Sequence, residues 1–203
     1  YVPLKQISPF LVAATLSTED KDFYSHAGFD PFAILRAFWQ NLTSGETVSG
    51  ASTITQQVAR AVLFTPEERG QRTYLRKVRE ALLSAEIERR YSKDEILELY
   101  MNEIYYGNLS YGVEAAAETY FGETAGRLTL AQATFLAGLP QAPSVYDIYT
   151  NRDQTMVRFQ SVVMGMLALS LERNCIYVSN APDPVCVDGP AAAAAIQNIQ
   201  ERT

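Results

Sequence analysis

One histidine, His26, and two cysteines, Cys175 and Cys186, are all that this 203-residue chain holds of the side chains that most metal and thiol chemistry uses. A zinc site needs a ligand set that the sequence can barely assemble. A Ser-His-Asp triad would have to use His26, and no nucleophile-elbow sequence is present. Long apolar runs are missing as well: none is long enough to span a bilayer, and no signal peptide is visible. Positive charge is in deficit. The net charge of −6 argues against a general nucleic-acid binder. Strand signals are scarce, and no internal repeat appears.

The remaining composition is that of a globular chain, long enough for one large domain or two small lobes. Its charge is unevenly spread. Residues 60–93 hold nine of the seventeen Lys and Arg against five acids, so this stretch is +4 while the remainder is −10. A basic patch this local suits a single anionic ligand. The two cysteines stand eleven positions apart in NCIYVSNAPDPVCVDGP. Such a pair in a turn-rich stretch can close a disulfide, which implies an oxidising location, or remain two thiols.

Helix start signals recur along the chain. Ser8-Pro9 opens an apolar helix that delivers Glu19 near its end. Asp30-Pro31 repeats the device for FAILRAFWQNL, stopped around Ser44-Gly45. Thr53 with Gln56 forms a capping box for a helix to about Phe64. Thr65-Pro66 with Glu68 opens a long helix through about Tyr91. Ser92 with Glu95, Thr129 with Gln132, and Asn151 with Gln154 start three more, the last running to about Arg173. The expected fold is all-α. Residues 1–174 form the main domain, and 175–203 read as a loop-rich tail or linker with a short terminal helix.

Three polar clusters sit inside or beside these apolar helices: TEDKDFYSHAGFD (18–30), SGASTITQQVAR (49–60) and RKVREALLSAEIE (76–88). In the third, Arg76 and Lys77 lie four and three residues before Glu80, so both cations flank one carboxylate. A surface ion-pair ladder is the plain alternative, although Ala81, Leu82, Leu83 and Ala85 put the group beside the core. In the second, Thr53, Gln57 and Arg60 form one helical stripe that starts at a helix N-terminus, where anions are favoured. Read alone, STITQQ is also an ordinary capping sequence. In the first, Glu19, Phe23 and His26 have helical spacing. A lone histidine is usually a packing residue. Glu19 follows ten mostly apolar residues, and burial would make it a useful base. Two carboxylates beside a basic, hydroxyl-rich site suit chemistry at a sugar centre with a phosphate leaving group.

Together these clusters resemble the peptidoglycan glycosyltransferase domain of class A penicillin-binding proteins and the related monofunctional enzymes (glycosyltransferase family 51). TEDKDFYSHAGFD is similar to that family's first signature and GASTITQQVAR to its second. RKVREALLSAEIE, KDEILELYMNEIYYG and GVEAAAETYFG are similar to the third, fourth and fifth. Their order and spacing match over roughly residues 4–170. The resemblance implies a lysozyme-like, two-lobed fold with a head and a smaller membrane-associated jaw, here about 31–70. It implies polymerisation of lipid II into glycan strands, with inversion at the anomeric carbon and release of undecaprenyl pyrophosphate. By motif position Glu19 would be the base and Glu80 the second carboxylate. Thr53, Gln57, Arg60, Arg76 and Lys77 would contact phosphate and sugar, with Asp20 and His26 supporting the first motif. Arg60 stands where the family usually has lysine, so a bidentate fork replaces a point charge.

No protein metal site and no obligatory cofactor are expected; a divalent cation, Mg²⁺, has room at the pyrophosphate. The expected partners are lipid II, the growing strand, a membrane surface and, in the full-length protein, a transpeptidase domain after residue 203. Nucleic acid is not among them. The expected location is the outer face of the cytoplasmic membrane, with an N-terminal transmembrane anchor outside this sequence. Phe32, Ile34, Leu35, Phe38, Trp39 and Val62-Leu63-Phe64 are candidates for lipid contact, or simply for the small lobe's core. Two other functions compete: a lysozyme-like glycan hydrolase, and a non-catalytic glycan- or lipid-binding module. A hydrolase has no use for the Thr53–Arg60 stripe and the Arg76-Lys77 pair, and a binding module no use for both Glu19 and Glu80.

Overall fold

Local capping chemistry sets most of the helix boundaries in the computed structural model, which describes residues 1–29, 52–71 and 73–202. Thr53 with Gln56, Thr65 with Glu68 and Thr129 with Gln132 each form the reciprocal capping box expected of them. The α-helices among the described residues are α1 (Pro9–Glu19), α2 (Ile54–Leu63), α3 (Pro66–Gly70), α4 (Tyr74–Arg90), α5 (Lys93–Glu103), α6 (Val113–Phe121), α7 (Leu130–Gly138), α8 (Arg152–Arg173) and α9 (Gly189–Arg202). Only isolated bridges, Tyr105 with Tyr111 and Ile176 with Val185, represent β-structure there. The fold is all-α.

The chain divides into two compact units, residues 1–18 with 104–203, and residues 19–103. In the first, α1 is apolar around its whole circumference, with Leu11 to Leu16 all buried. The Ser8 hydroxyl donates to Leu128 O at 2.8 Å. The fifth motif folds as α6, a helix that has no side-chain N-cap to mark its start in the sequence. Gly112 (φ 79°) precedes it, and Gly122 (φ 64°) ends it in the left-handed conformation. α7 is buried from Ala131 to Gly138 and packs on α8. Asn151 does not cap α8 through its side chain, contrary to expectation. Its backbone N–H instead donates to Asp147 O at 2.7 Å, closing the turn that feeds the helix.

Beyond α8, Cys175 and Cys186 form a disulfide across the Ile176–Val185 bridge. Val178, Val185 and Val187 are buried beneath it. The segment read as a loop-rich tail then continues into 14-residue α9, whose Ala192, Ala195 and Ile199 are buried where it packs on α7 and α8. Small residues on that face allow the close approach.

In the second unit α2 packs on α4 and α5, burying Ile54, Val58, Ile96, Leu97 and Tyr100. The single helix expected from Thr65 to about Tyr91 is two. α3 stops at Gly70, and Thr73 starts α4 afresh by accepting from Arg76 N at 3.2 Å. The glycine lowers helix propensity at the stop, and the second cap offers an alternative start. Phe23 and His26 do not continue α1 either, since that helix ends at Glu19 and residues 21–25 form turns. Phe64, a candidate for lipid contact, is buried under the Arg79 guanidinium, 5.0 Å from its ring centroid, so it is core. Val62 and Leu63 are exposed. Phe32, Ile34, Leu35, Phe38 and Trp39, with most of the expected jaw, lie outside the described residues. Among the described residues no helix is long and apolar enough to cross a membrane.

Candidate active site

All nine residues singled out by sequence fall in the unit spanning residues 19–103, on the end of α1, the turn after it, α2 and α4. Gln57, one turn into α2 and buried, donates from Nε2 to Glu19 Oε2 at 2.8 Å. The carboxylate that ends α1 is thereby aimed by the stripe that also carries Thr53 and Arg60.

Asp20 reaches a different target. Its Oδ2 accepts from Ile54 N at 3.0 Å, at the N-terminus of α2, and both its oxygens lie 2.9 Å from His26 Nε2. Gly28 N donates to His26 Nδ1 at 3.2 Å, which makes Nε2 the protonated nitrogen and hence the donor to Asp20. The Thr53 hydroxyl donates to Gly28 O at 2.6 Å and accepts from Gln56 N. The start of α2, expected to receive a ligand's anion, is therefore filled by Asp20 and by the helix's own cap. Thr53, Asp20 and His26 hold the loop together.

Gly28 is the residue that lets this loop close on α4. Its φ is +88°, and a Cβ there would sit 2.7 Å from Ser84 O and 2.8 Å from Glu88 Cγ. Only glycine combines that conformation with that approach.

The cations gather elsewhere, on the second turn of α2 and the start of α4. Glu80 is fully buried and paired with Arg76 through one oxygen and with Lys77 at 3.1 Å through the other; Arg60 Nη1 stands 3.9 Å away. Lys77 Nζ also donates to Ser52 Oγ at 2.5 Å. Burial pushes the Lys77 ammonium below its ordinary pKa, helped by the neighbouring Arg60 and Arg76 charges and opposed by Glu80. Three cations around one carboxylate leave a net charge of +2. The buried Arg76 Nε has no hydrogen-bond partner among the described residues. An excess of cation with an unsatisfied buried donor is what a bound phosphate would complete.

Sequence reasoning missed the support beneath this cluster. Glu88 accepts from Thr55 Oγ1 at 2.6 Å and from Lys93 Nζ at 2.7 Å. Lys93 also donates to His26 O at 2.6 Å and lies over the Phe23 ring. The available signal was the spacing of Glu80, Ser84 and Glu88, three polar residues on one face of a helix.

The transglycosylase family profile matches residues 1–167 of this sequence. The chain belongs to the transglycosylase family. It is 48% identical over 166 residues to penicillin-binding protein 1A of Escherichia coli, an alignment covering 82% of this chain and 19% of that protein. It is 45% identical over 166 residues to penicillin-binding protein 2D of Bacillus subtilis, covering 82% and 23%. A crystal structure of penicillin-binding protein 1A from Haemophilus influenzae aligns at 34% identity and a TM-score of 0.43, over 53% of this chain and 14% of that one. The chain spans about a fifth of the length of the curated relatives it matches. The transglycosylase match ends inside α8, so the disulfide hairpin and α9 lie beyond it.

Proposed function

We propose that this domain is a peptidoglycan glycosyltransferase that polymerises lipid II, with inversion at the anomeric carbon and release of undecaprenyl pyrophosphate. The observation that carries the reading is one helix serving two groups. α2 orients Glu19 through Gln57 and places Arg60 beside the Arg76–Lys77–Glu80 cluster. Glu19 takes the proton of the acceptor's 4-hydroxyl as it attacks. Arg60, Arg76 and Lys77 receive the negative charge that gathers on the departing pyrophosphate. Glu80 keeps those cations in place.

A hydrolase or a passive binding module is not favoured, because neither calls for this cationic cluster together with an oriented carboxylate. A protein-held divalent cation does not fit the cluster. Both oxygens of Glu80 are engaged by cations, and no group of three metal-ligating side chains occurs among the described residues. We place the domain on the outer face of the cytoplasmic membrane, in a longer protein that carries a membrane anchor and a transpeptidase domain. The disulfide supports an oxidising compartment. Incubation with labelled lipid II, followed by separation of polymer, monomer and hydrolysed sugar, tests the reading: polymer is expected, and release of free sugar alone would overturn it.

A further inference from the structure

The outward face of α8 carries an apolar line where a solvent-facing helix ordinarily carries charge. Met156, Phe159, Val163, Met166 and Leu169 are buried on the opposite side. Directly away from them run Val157, Ser161, Met164, Ala168 and Leu171, spaced four, three, four and three. Val157 is 67% exposed, Met164 52% and Leu171 72%. That alternation is the seam of a helix pair, with small residues between the large ones to let a second backbone approach.

We propose that this face is an isologous interface, on which α8 of a second copy of this chain packs antiparallel about a two-fold axis through Met164. Val157 and Leu171 each lie seven residues from Met164, so the axis sets Val157 of each copy against Leu171 of the other. A cavity of about 480 Å³, lined in part by Val145, Tyr146, Val157 and Ser161, opens beside Val157 and offers space for that leucine. The charges flanking the line agree with the same register. Arg158 and Glu172 occupy one flank, six residues before and eight residues after Met164. Antiparallel pairing puts them side by side twice. A parallel pairing would set Glu172 beside Leu167 instead. Arg158 is held in place by its Nε bond to Gly138 O at 3.2 Å.

A 22-residue helix is about 33 Å long, and one such contact lies at the small end of specific interfaces, so micromolar association is expected. Sedimentation of the chain from about 1 to about 200 µM brackets that affinity. The expected result is a monomer–dimer equilibrium that Met164→Glu abolishes without changing the thermal melt. A short bismaleimide should cross-link Met164→Cys to itself, and Val157→Cys only when mixed with Leu171→Cys. The native cysteines are disulfide-bonded and do not compete. A chain that stays monomeric throughout overturns the interface. So does a dimer that survives Met164→Glu, or a Val157→Cys protein that cross-links to itself as fast as Met164→Cys.

Discussion

Gln57 Nε2 and Glu19 Oε2 are 2.8 Å apart, so the carboxylate at the end of one helix is aimed by an amide one turn into the next. Replacing Glu19 by Gln keeps the shape and leaves an amide oxygen to accept the same hydrogen bond, but removes the carboxylate proposed to take the proton. Loss of a general base costs on the order of 10² to 10⁴ in rate. Glu19→Gln should therefore fall by that factor in polymerisation while melting at the parent temperature. Gln57→Ala should lose less rate, since the base survives without its guide. Polymer yields near the parent's in Glu19→Gln would remove Glu19 from its role.

Glu80 is enclosed by cations, and that makes its loss a question of stability as well as turnover. Breaking a buried ion pair from one side leaves the partner charge uncompensated and costs roughly 3–5 kcal/mol. Glu80→Gln should lower the melting temperature by about 6 to 20 °C for a chain of this size. Adding Lys77→Met to Glu80→Gln should recover part of that loss, because fewer buried charges then stand unpaired, yet leave polymerisation absent. Denaturation curves of the two single variants and the double variant measure the recovery. A double variant no more stable than Glu80→Gln would show that Lys77 is not held at Glu80's expense.

Lys77 predicts a pH dependence of definite sign. Its folded pKa is depressed by burial below the ordinary 10.5, so between the two values the unfolded chain binds more protons than the folded one. Stability then rises with pH through that window, and the cost of burying the ammonium is fully present below it. The measured quantity is the stability of the parent minus that of Lys77→Met as pH is raised from neutral towards 10.5. This difference should shift in the parent's favour. A flat or falling difference would mean that the amine titrates at its ordinary position. The comparison cancels Tyr120, whose pKa is raised by burial and which acts in the opposite direction.

What could be read from the sequence was mostly local. The capping boxes at Thr53, Thr65 and Thr129 span three residues each, and the Arg76–Glu80 and Lys77–Glu80 pairs lie within one turn, so spacing alone placed them. Asp20 was read only as support for its motif because its target, Ile54 N, is 34 residues away. That same contact turned the expected anion site at the start of α2 into one filled from within. Phe64 shows the other limit: an apolar residue at a helix end reads equally as lipid contact or core, and only packing against Arg79 decides. α9 was underrated because AAAAAIQNIQ has a weak periodic signal until α7 and α8 are there to receive its alanines.

Gly28 gives the site its sharpest steric test. A Cβ at that position meets the α4 backbone at Ser84 O, which cannot rotate away, and φ is +88°. Strain of that kind is worth about 1–3 kcal/mol, and the clash adds to it. Gly28→Ala should push the loop off α4, stretching the Thr53–Gly28 and His26–Gly28 hydrogen bonds together. Both stability and polymerisation are expected to fall, and hydrogen exchange should speed up at the amides of Gly28 and Ile54. Unchanged exchange at those amides would show the loop to be held by other contacts.

The disulfide between Cys175 and Cys186 closes a loop whose ends are eleven residues apart, just before α9. Closing a loop of about this length stabilises by roughly 2–3 kcal/mol, through the smaller freedom left to the unfolded chain. The hairpin beneath it carries Val178, Val185 and Val187 in the core, and Ser170 Oγ accepts from Val187 N at 2.9 Å. Reduction, or Cys175→Ser with Cys186→Ser, should therefore loosen the hairpin and the helix that follows before it affects the site. The expected pattern is a lower melting temperature and faster proteolysis within residues 176–202. Binding of lipid II at the anion site proposed on Arg60, Arg76 and Lys77 should change little, since those residues sit in the other unit. Loss of that binding on reduction, with the fold of residues 19–103 intact by hydrogen exchange, would mean that the hairpin contributes to the site as well as to stability.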